Sequence, residues 1–544
     1  MVTAALITVF ALVAVTAATA LAARRLNVPD SIMLVMVGLA AGFIPDMPRV
    51  AIKPDLVLTL LLPPLLYSSG VGMSWRGFKA HIWPIMLLAV GCVLFTATAV
   101  AIVTHYILGL PWAIGFVLGA IVSPPDAVAP MAIARRFSVP ERILTVLEGE
   151  GLVNDATALI LFSFAVAAVD TGHFSYVAAV TKFFAIVGGE LVWGAVVGWA
   201  ALYLRRWARD AHVEIAISML TPFVSFWIPE ALGGSGVLAT VTAGLVISWN
   251  GPRFISPATR LQGFFVWDLI TSMVEGVIFL LTGLQARIVA DNLNRAEWRY
   301  LLTAAVAVSL VVVIVRFFWV FPATYLPRLL PWVRARTGPL HWREPFVIGF
   351  TGIRGVVSLA AALSIPYMID GEPFPNRGLL LLVTFSVILV TLVGQGSTFS
   401  TVVRSSGLVA VGRREAAARK RKEIEDRIAG IDDVLAKIDE MERDGADPEI
   451  IAAARRQHRD RRANFIAAAK HHDTGRTPAD AARLQLELVE IERISIARLY
   501  AANKLDDGAR RRIEREFDLE DSRIRHAGES GSGDLPEDLP HAED

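Results

Sequence analysis

Apolar residues do not scatter along this chain. Up to about residue 402 they come in long runs separated by short polar joints. A helix that crosses a bilayer needs about 20 apolar residues, with a range near 17–25. About thirteen runs approach that length, at 3–23, 31–45, 55–73, 81–108, 112–134, 141–169, 177–204, 212–231, 234–250, 262–286, 299–325, 345–367 and 377–402. The second is short, and Pro222 and Pro229 interrupt the eighth. From about 413 the chain turns highly charged. Ile424, Ile428, Ile431, Leu435, Ile438 and Met441 follow gaps of four and three, a heptad seam that Gly445 to Pro448 ends. Leu484, Leu488, Ile491 and Ile494 mark another amphipathic helix, and 527–544, rich in Gly, Ser, Pro and acids, is expected to be disordered. The chain therefore reads as an all-α membrane domain over 1–402, a helical tail over 403–526 and a disordered acidic C-terminus over 527–544. The tail reads as a solvated appendage without chemistry, with a self-association element or a regulatory module as alternatives.

Composition supports the division. The chain is 54% apolar before glycine is counted, where soluble domains reach roughly 45–50% with glycine included. Net charge is +1, so nothing points to a nucleic-acid partner. Local charge is more informative: about sixteen Lys and Arg fall in joints after odd-numbered runs and about seven after even-numbered ones. The richer side is cytoplasmic, which puts the N-terminus outside and the tail inside a multi-pass cell-membrane protein. The first run is preceded by no Lys or Arg and followed by Arg24 and Arg25, the reverse of a signal peptide, so a retained span is expected. The single cysteine, Cys92, excludes an intramolecular disulfide and argues against a metal-thiolate cluster. No cofactor is expected.

Three runs carry residues that a membrane helix tolerates poorly. The fifth reads Ser123-Pro124-Pro125-Asp126 and adds Pro130. Proline removes backbone hydrogen bonds, and in lipid the freed groups need other partners. The break exposes carbonyls and a half-helix N-terminus, both useful to an ion; a plain kink capped by Asp126 is the alternative. The sixth run holds Glu148, Glu150, Asn154 and Asp155, with Asp155 central. A buried carboxylate costs several kcal/mol unless it is protonated, paired or bound to a cation. Glu148 lies near the cytoplasmic joint, where it can meet water in a funnel. The twelfth run contains Gly352-Ile353-Arg354-Gly355, and an intramembrane arginine must find an anion. Asp126, Glu150 and Asp155 are the anions available on the fifth and sixth runs. A structural ion pair of Glu150 with Arg354 is the favoured reading, leaving Asp155 free to exchange ligands. Acids on adjacent spans beside a broken helix read as a cation or proton site at the midplane, the arrangement of a secondary transporter.

These residues resemble a family. Glu148-Gly-Glu150-Gly-Leu-Val-Asn154-Asp155-Ala, the earlier Ser-Pro-Pro-Asp and Gly352-Ile-Arg-Gly-Val-Val-Ser358-Leu-Ala are similar to motifs of monovalent cation:proton antiporters of the sodium/proton exchanger type. Leu62-Pro63-Pro64-Leu65-Leu66-Tyr67 and Glu275-Gly-Val-Ile-Phe-Leu-Leu-Thr-Gly-Leu284 are similar too, in matching order over residues 1 to about 402. The resemblance implies the sodium/proton antiporter fold with two crossing broken helices. It implies a mobile core from spans 81–169 and 299–402, dimer-interface spans 3–73 and 212–286, and a linker span 177–204. Asp155 would bind Na⁺ and the proton in turn, assisted by Asp126, Asn154, Ser123 and the carbonyls near Pro124, and Glu150 with Arg354 would brace the crossing. Two departures stand out. Many relatives have serine where this chain has Gly151, and some carry a carboxylate where Ser68 follows Tyr67. A site short of two oxygens would use water.

The implied partners are Na⁺, or Li⁺ or K⁺, and H⁺, with the lipid bilayer and a second copy in a homodimer. Because Asn154 is neutral where some electrogenic relatives have a second aspartate, one-for-one electroneutral exchange is expected. A K⁺-selective antiporter and a proton-coupled transporter of a small organic solute are the alternatives. No run holds a histidine pair or a nucleophile with its base, so an enzyme is not expected.

Overall fold

In lipid every backbone group must be satisfied within its own segment, so apolar runs of this length fold as helices. The structure, a computed structural model, describes residues 2–26, 28–44, 57–172, 176–208, 210–291, 298–331, 341–369, 371–474, 478–501, 505 and 507–531. The expected ends of the second run at 45 and the third at 55 lie outside the described residues. Residues 1–413 and 414–544 form two compact units.

In the first unit, helices α1 (Val2–Leu26), α2 (Asp30–Gly42) and α3 (Leu62–Gly72) are followed by a short α4 (Trp75–Ala80). Then come α5 (Ile82–Leu108), α6 (Trp112–Val122), α7 (Val128–Arg136) and α8 (Glu141–Thr171). Helices α9 (Tyr176–Ala208), α10 (Ala211–Ala231), α11 (Val237–Phe254), α12 (Pro257–Asp291) and α13 (Trp298–Tyr325) complete the long series. The last part holds α14 (Arg343–Phe350), α15 (Val356–Leu363) and α16 (Arg377–Ser405). Between α15 and α16, Met368–Ile369 and Glu372–Pro373 pair as a two-residue antiparallel ribbon. Seven described helices are long and apolar enough to cross a bilayer, and Asp30–Gly42, Val57–Gly72 and Trp112–Val122 are shorter apolar ones. Large apolar side chains such as Phe264, Phe265, Leu310 and Phe318 stay exposed. Such a surface suits lipid rather than water.

The first unit packs as two groups. Helix α2 lies along α12, α11 along α3 and α9, and α1 against α2 and α12. In the other group α6 packs on α5 and α8, and α13 on α5, α14 and α16. Small residues allow the closest approaches: a Cβ on Gly38 would lie 2.2 Å from the Leu280 carbonyl, and one on Gly283 2.2 Å from that of Val35. Without a hydrophobic drive between helices in lipid, such backbone proximity is a main source of packing energy.

In the second unit α17 (Leu408–Arg443, begun in the first unit) turns at Gly445, φ 87°, into α18 (Pro448–Thr474). The expected heptad seam is only partly covered: Ile424, Ile428 and Leu435 are half-buried and Met441 is exposed. Ile431, Ile438 and Ile451 are buried, Arg462 pairs with Asp432 at 2.6 Å, and Arg455 pairs with Asp439 at 2.9 Å. Helices α19 (Pro478–Ala501) and α20 (Asp507–Gly531) pack together, joined by Arg493 and Asp518 at 3.0 Å. Leu488, Ile491 and Ile494 on α19 remain exposed, while the Leu484 side chain lies outside the described residues. Helix α20 continues to Gly531, into the segment expected to be disordered, and 532–544 lie outside the described residues.

Candidate functional site

The two breaks expected in the fifth and twelfth runs fall at 123–127, between α6 and α7, and at 351–355, between α14 and α15. Adjacent prolines at 124 and 125 supply no N–H, so the helix unwinds and carbonyls go free. The breaks meet. The Asp126 N–H donates to the Ile353 carbonyl at 2.7 Å, and the Arg354 guanidinium donates through Nη1 to the Ser123 carbonyl. The Arg354 N–H donates to Thr391 Oγ1 on α16 at 2.9 Å. Asn154, on α8, donates its amide to the Pro125 carbonyl at 2.7 Å. Asp126 Oδ1 accepts from the Val128 N–H at 2.9 Å, an Asx turn that leads the chain into α7. Gly355 presses on the same carboxylate: a Cβ there would lie 2.0 Å from Asp126 Oδ2.

The structural ion pair is a correction. Glu150 does not pair with Arg354. Both its oxygens are held by Arg316 of α13, Nη1 to Oε1 at 2.6 Å and Nη2 to Oε2 at 2.9 Å, with side chains 1% and 2% exposed. Arg316 also donates to the Ile348 carbonyl and to Thr351 Oγ1, both at 3.3 Å, so it ties α8 to the end of α14 at the break. The physical reason is a competition for donors. Arg316 offers the planar fork that matches a carboxylate on both oxygens. Arg354 instead sits in the unwound segment and is taken by the carbonyl that the proline break sets free. Among the described residues its Nε and Nη2 have no hydrogen-bond partner.

A cavity of about 560 Å³ opens beside the crossing. Of the residues expected to bind an ion, Asp126, Asp155 and Pro124 border it, whereas Ser123 and Asn154 do not. Ser123 is buried, with its hydroxyl donating to Ala120 O at 3.1 Å, and Asn154 is buried with its amide committed to Pro125. Asp155 is half-buried, and among the described residues no group donates a hydrogen bond to its carboxylate. Asp126 is within electrostatic reach of it. Glu148 borders the cavity and pairs with Arg135. No group of three or more His, Cys, Asp or Glu among the described residues is arranged to hold a metal ion. Any cation there would be held by the two aspartates with carbonyl, hydroxyl or water oxygens.

Sequence reasoning gave no site role to several buried or half-buried charges, among them Arg316, Glu190, Arg205, Glu214 and Glu275. Arg316 stands alone in Val311-Val-Val-Ile-Val-Arg316-Phe-Phe-Trp, and the rule that made Arg354 notable applies equally to it. Glu190 on α9 accepts from the N–H groups of Ser235, Gly236 and Leu238, capping α11. Arg205 is buried and donates to the Tyr67 hydroxyl at 2.9 Å. Glu275 on α12 borders the cavity, within electrostatic reach of Asp126. A charge inside an apolar run was the available signal for Arg316, Glu190 and Glu275, whereas Arg205 stands beside Arg206 just past the end of its run and reads as a joint charge.

Two unwound segments crossed beside half-buried aspartates, braced by a buried ion pair, define an ion-handling membrane protein of the secondary-transporter class. The chain belongs to the sodium/hydrogen exchanger family, whose transmembrane model matches residues 10–405. It is 32% identical to a protein of Mycobacterium tuberculosis named as an uncharacterized Na⁺/H⁺ exchanger, over 95% of this chain and 96% of that one. It is 33% identical to a sodium, potassium, lithium and rubidium/H⁺ antiporter of Bacillus subtilis, over 67% of this chain and 56% of that one. The fold is like that of the sodium proton antiporter MjNhaP1 from Methanocaldococcus jannaschii at pH 8, with a TM-score of 0.58 and 19% identity, covering 74% of this chain and 98% of that one.

Proposed function

We propose that this protein is a secondary antiporter that exchanges a monovalent cation, Na⁺ in the first place, for H⁺ across the cell membrane. Asp155 is the carboxylate that binds each in turn. The observation that carries this reading is the position of Asp155: it borders the cavity at the crossing, lacks a hydrogen-bond donor among the described residues and shares the cavity with a second aspartate within electrostatic reach. One carboxylate cannot hold a proton and a cation together, so each expels the other. Moving the empty charged form through a low-dielectric layer is costly, and exchange becomes obligatory as the site faces each side alternately. Asp126 and the Pro124 carbonyl assist binding, and Asn154 acts by holding the Pro125 carbonyl. Glu148 with Arg135 lies on the cytoplasmic approach, in keeping with an outside N-terminus and an inside tail. The group α5–α8 with α13–α16 moves against α1–α3 with α10–α12, α9 linking them, and the latter group supplies the homodimer interface.

Asn154 is neutral, which supports exchange of one proton per cation. The test uses the purified full chain in vesicles carrying a pH gradient, with Na⁺, Li⁺ and K⁺ added separately and the potential clamped by K⁺ and valinomycin in the Na⁺ and Li⁺ arms. Cation-driven collapse of the gradient, insensitive to the clamp, is expected. No collapse with any cation overturns antiport, and a rate that follows the clamped potential overturns electroneutrality.

A further inference from the structure

We infer that Ser358 supplies a hydroxyl oxygen to the transported cation from the α15 side of the crossing. This rests on the antiport reading and adds a ligand to its site. Among the described residues, five buried hydroxyl residues lie in the two breaks or within one helical turn of residues in or bonded to them. Four of them donate to a nearby carbonyl: Ser123 to Ala120, Thr157 to Val153, Thr351 to Ile348 and Thr391 to Val387. Ser358 is 2% exposed, and among the described residues its Oγ has no hydrogen-bond partner. A helical serine ordinarily bonds the carbonyl four residues back. For Ser358 that residue is Arg354, which lies in the unwound segment, so the break itself leaves the hydroxyl unpaired.

An unpaired buried hydroxyl is unfavourable unless something uses it. Its place suggests what. Ser358 borders the same cavity as Asp126 and Asp155. It stands one helical turn after Gly355, the residue that presses on the Asp126 carboxylate, and a turn advances only about 5 Å. The α8 side offers no such oxygen. Gly151 borders the cavity there, and a Cβ on it would lie 2.7 Å from the Ala127 Cβ, so the space for a side chain is already filled. Hard monovalent cations are satisfied by carboxylate, carbonyl and hydroxyl oxygens. Two aspartates leave a coordination shell incomplete, and Ser358, next to the break at 351–355, has a hydroxyl free to add an oxygen.

The experiment measures cation-driven proton movement in vesicles of the full-length protein, wild type against Ser358→Ala, over a range of Na⁺ and Li⁺ concentrations. The expected result is an apparent KM raised about 5- to 10-fold, the size of one lost polar contact, with the maximal rate retained. Thermal stability should be unchanged or higher, because the variant removes an unpaired polar atom. An unchanged KM, or a loss of maximal rate at unchanged KM, overturns the inference. Should Ser358→Ala fail to fold, Ser358→Cys keeps the volume and replaces a hard oxygen with a soft sulfur. The same KM rise, with weaker Na⁺-dependent thermal stabilisation, is then required, and wild-type values overturn the inference. Wild-type protein that moves no protons under any cation overturns the antiport reading instead.

Discussion

Glu150 and Arg316 face each other across α8 and α13 as a two-pronged pair, 2.6 and 2.9 Å between their charged atoms and almost sealed from solvent. Removing one member leaves an uncompensated buried charge, which costs on the order of 3–5 kcal/mol. Glu150→Ala and Arg316→Ala are each expected to lower thermal stability sharply, and the double variant to lose much less than the sum. Thermal melts of the purified protein check this. Glu150→Ala with Arg354→Ala should lie closer to additivity, because Arg354 bonds Ser123 and not Glu150. Strict additivity for Glu150 with Arg316 would contradict the pair.

Asn154 holds the proline break through one N–H donor. A carboxylate of the same shape only accepts, so Asn154→Asp sets two acceptors against each other at neutral pH. The variant should lose about 1–3 kcal/mol of stability, the penalty of an unmatched buried polar group. Protonation restores a donor, so the loss should shrink in acid and grow as pH rises. Melts over a pH series check the sign, and a variant whose loss is the same at every pH would contradict it.

Gly355 leaves no room for a side chain against Asp126. Gly355→Ala should displace the carboxylate by a sizeable fraction of an ångström or more, and exchange should fall on the order of 10- to 100-fold, the scale of a misplaced binding group. Initial rates of gradient collapse in vesicles measure it. A variant with wild-type rates would show that Asp126 takes no part.

Every proposed ligand lies in the first compact unit, and within the tail the seam residues Ile431 and Ile438 are already buried. Truncation after Arg413 should therefore leave a dimer that still exchanges cation for proton. Light scattering and vesicle assays check both halves. Loss of exchange in a folded, dimeric truncation would show that the tail gates the membrane unit.

The elements were largely legible in the sequence, because lipid leaves an apolar run few choices other than a helix. Both breaks were legible too, since Pro124-Pro125 and Gly352 with Gly355 are local signals. Partner choice was not. Arg316 and Arg354 both sit in apolar runs, and which one reaches Glu150 depends on how α13 lies against α8, information spread over many packing contacts. The seam at Ile431 and Ile438 looked the same whether a second copy or the next helix was to cover it. Ser123 and Asn154 lie beside the crossing as expected, yet their polar atoms serve the break and do not border the cavity. A sequence gives their neighbourhood but not their direction.

Asp155 bears the central claim, and its substitution tests that claim most directly. Asp155→Asn keeps the shape and removes the charge that a cation or proton must share. Vesicles with the purified variant, loaded with a pH gradient and given Na⁺, should show no cation-driven proton movement, while its melting temperature stays near or above that of the wild type. Wild-type exchange by a folded Asp155→Asn protein would contradict the account.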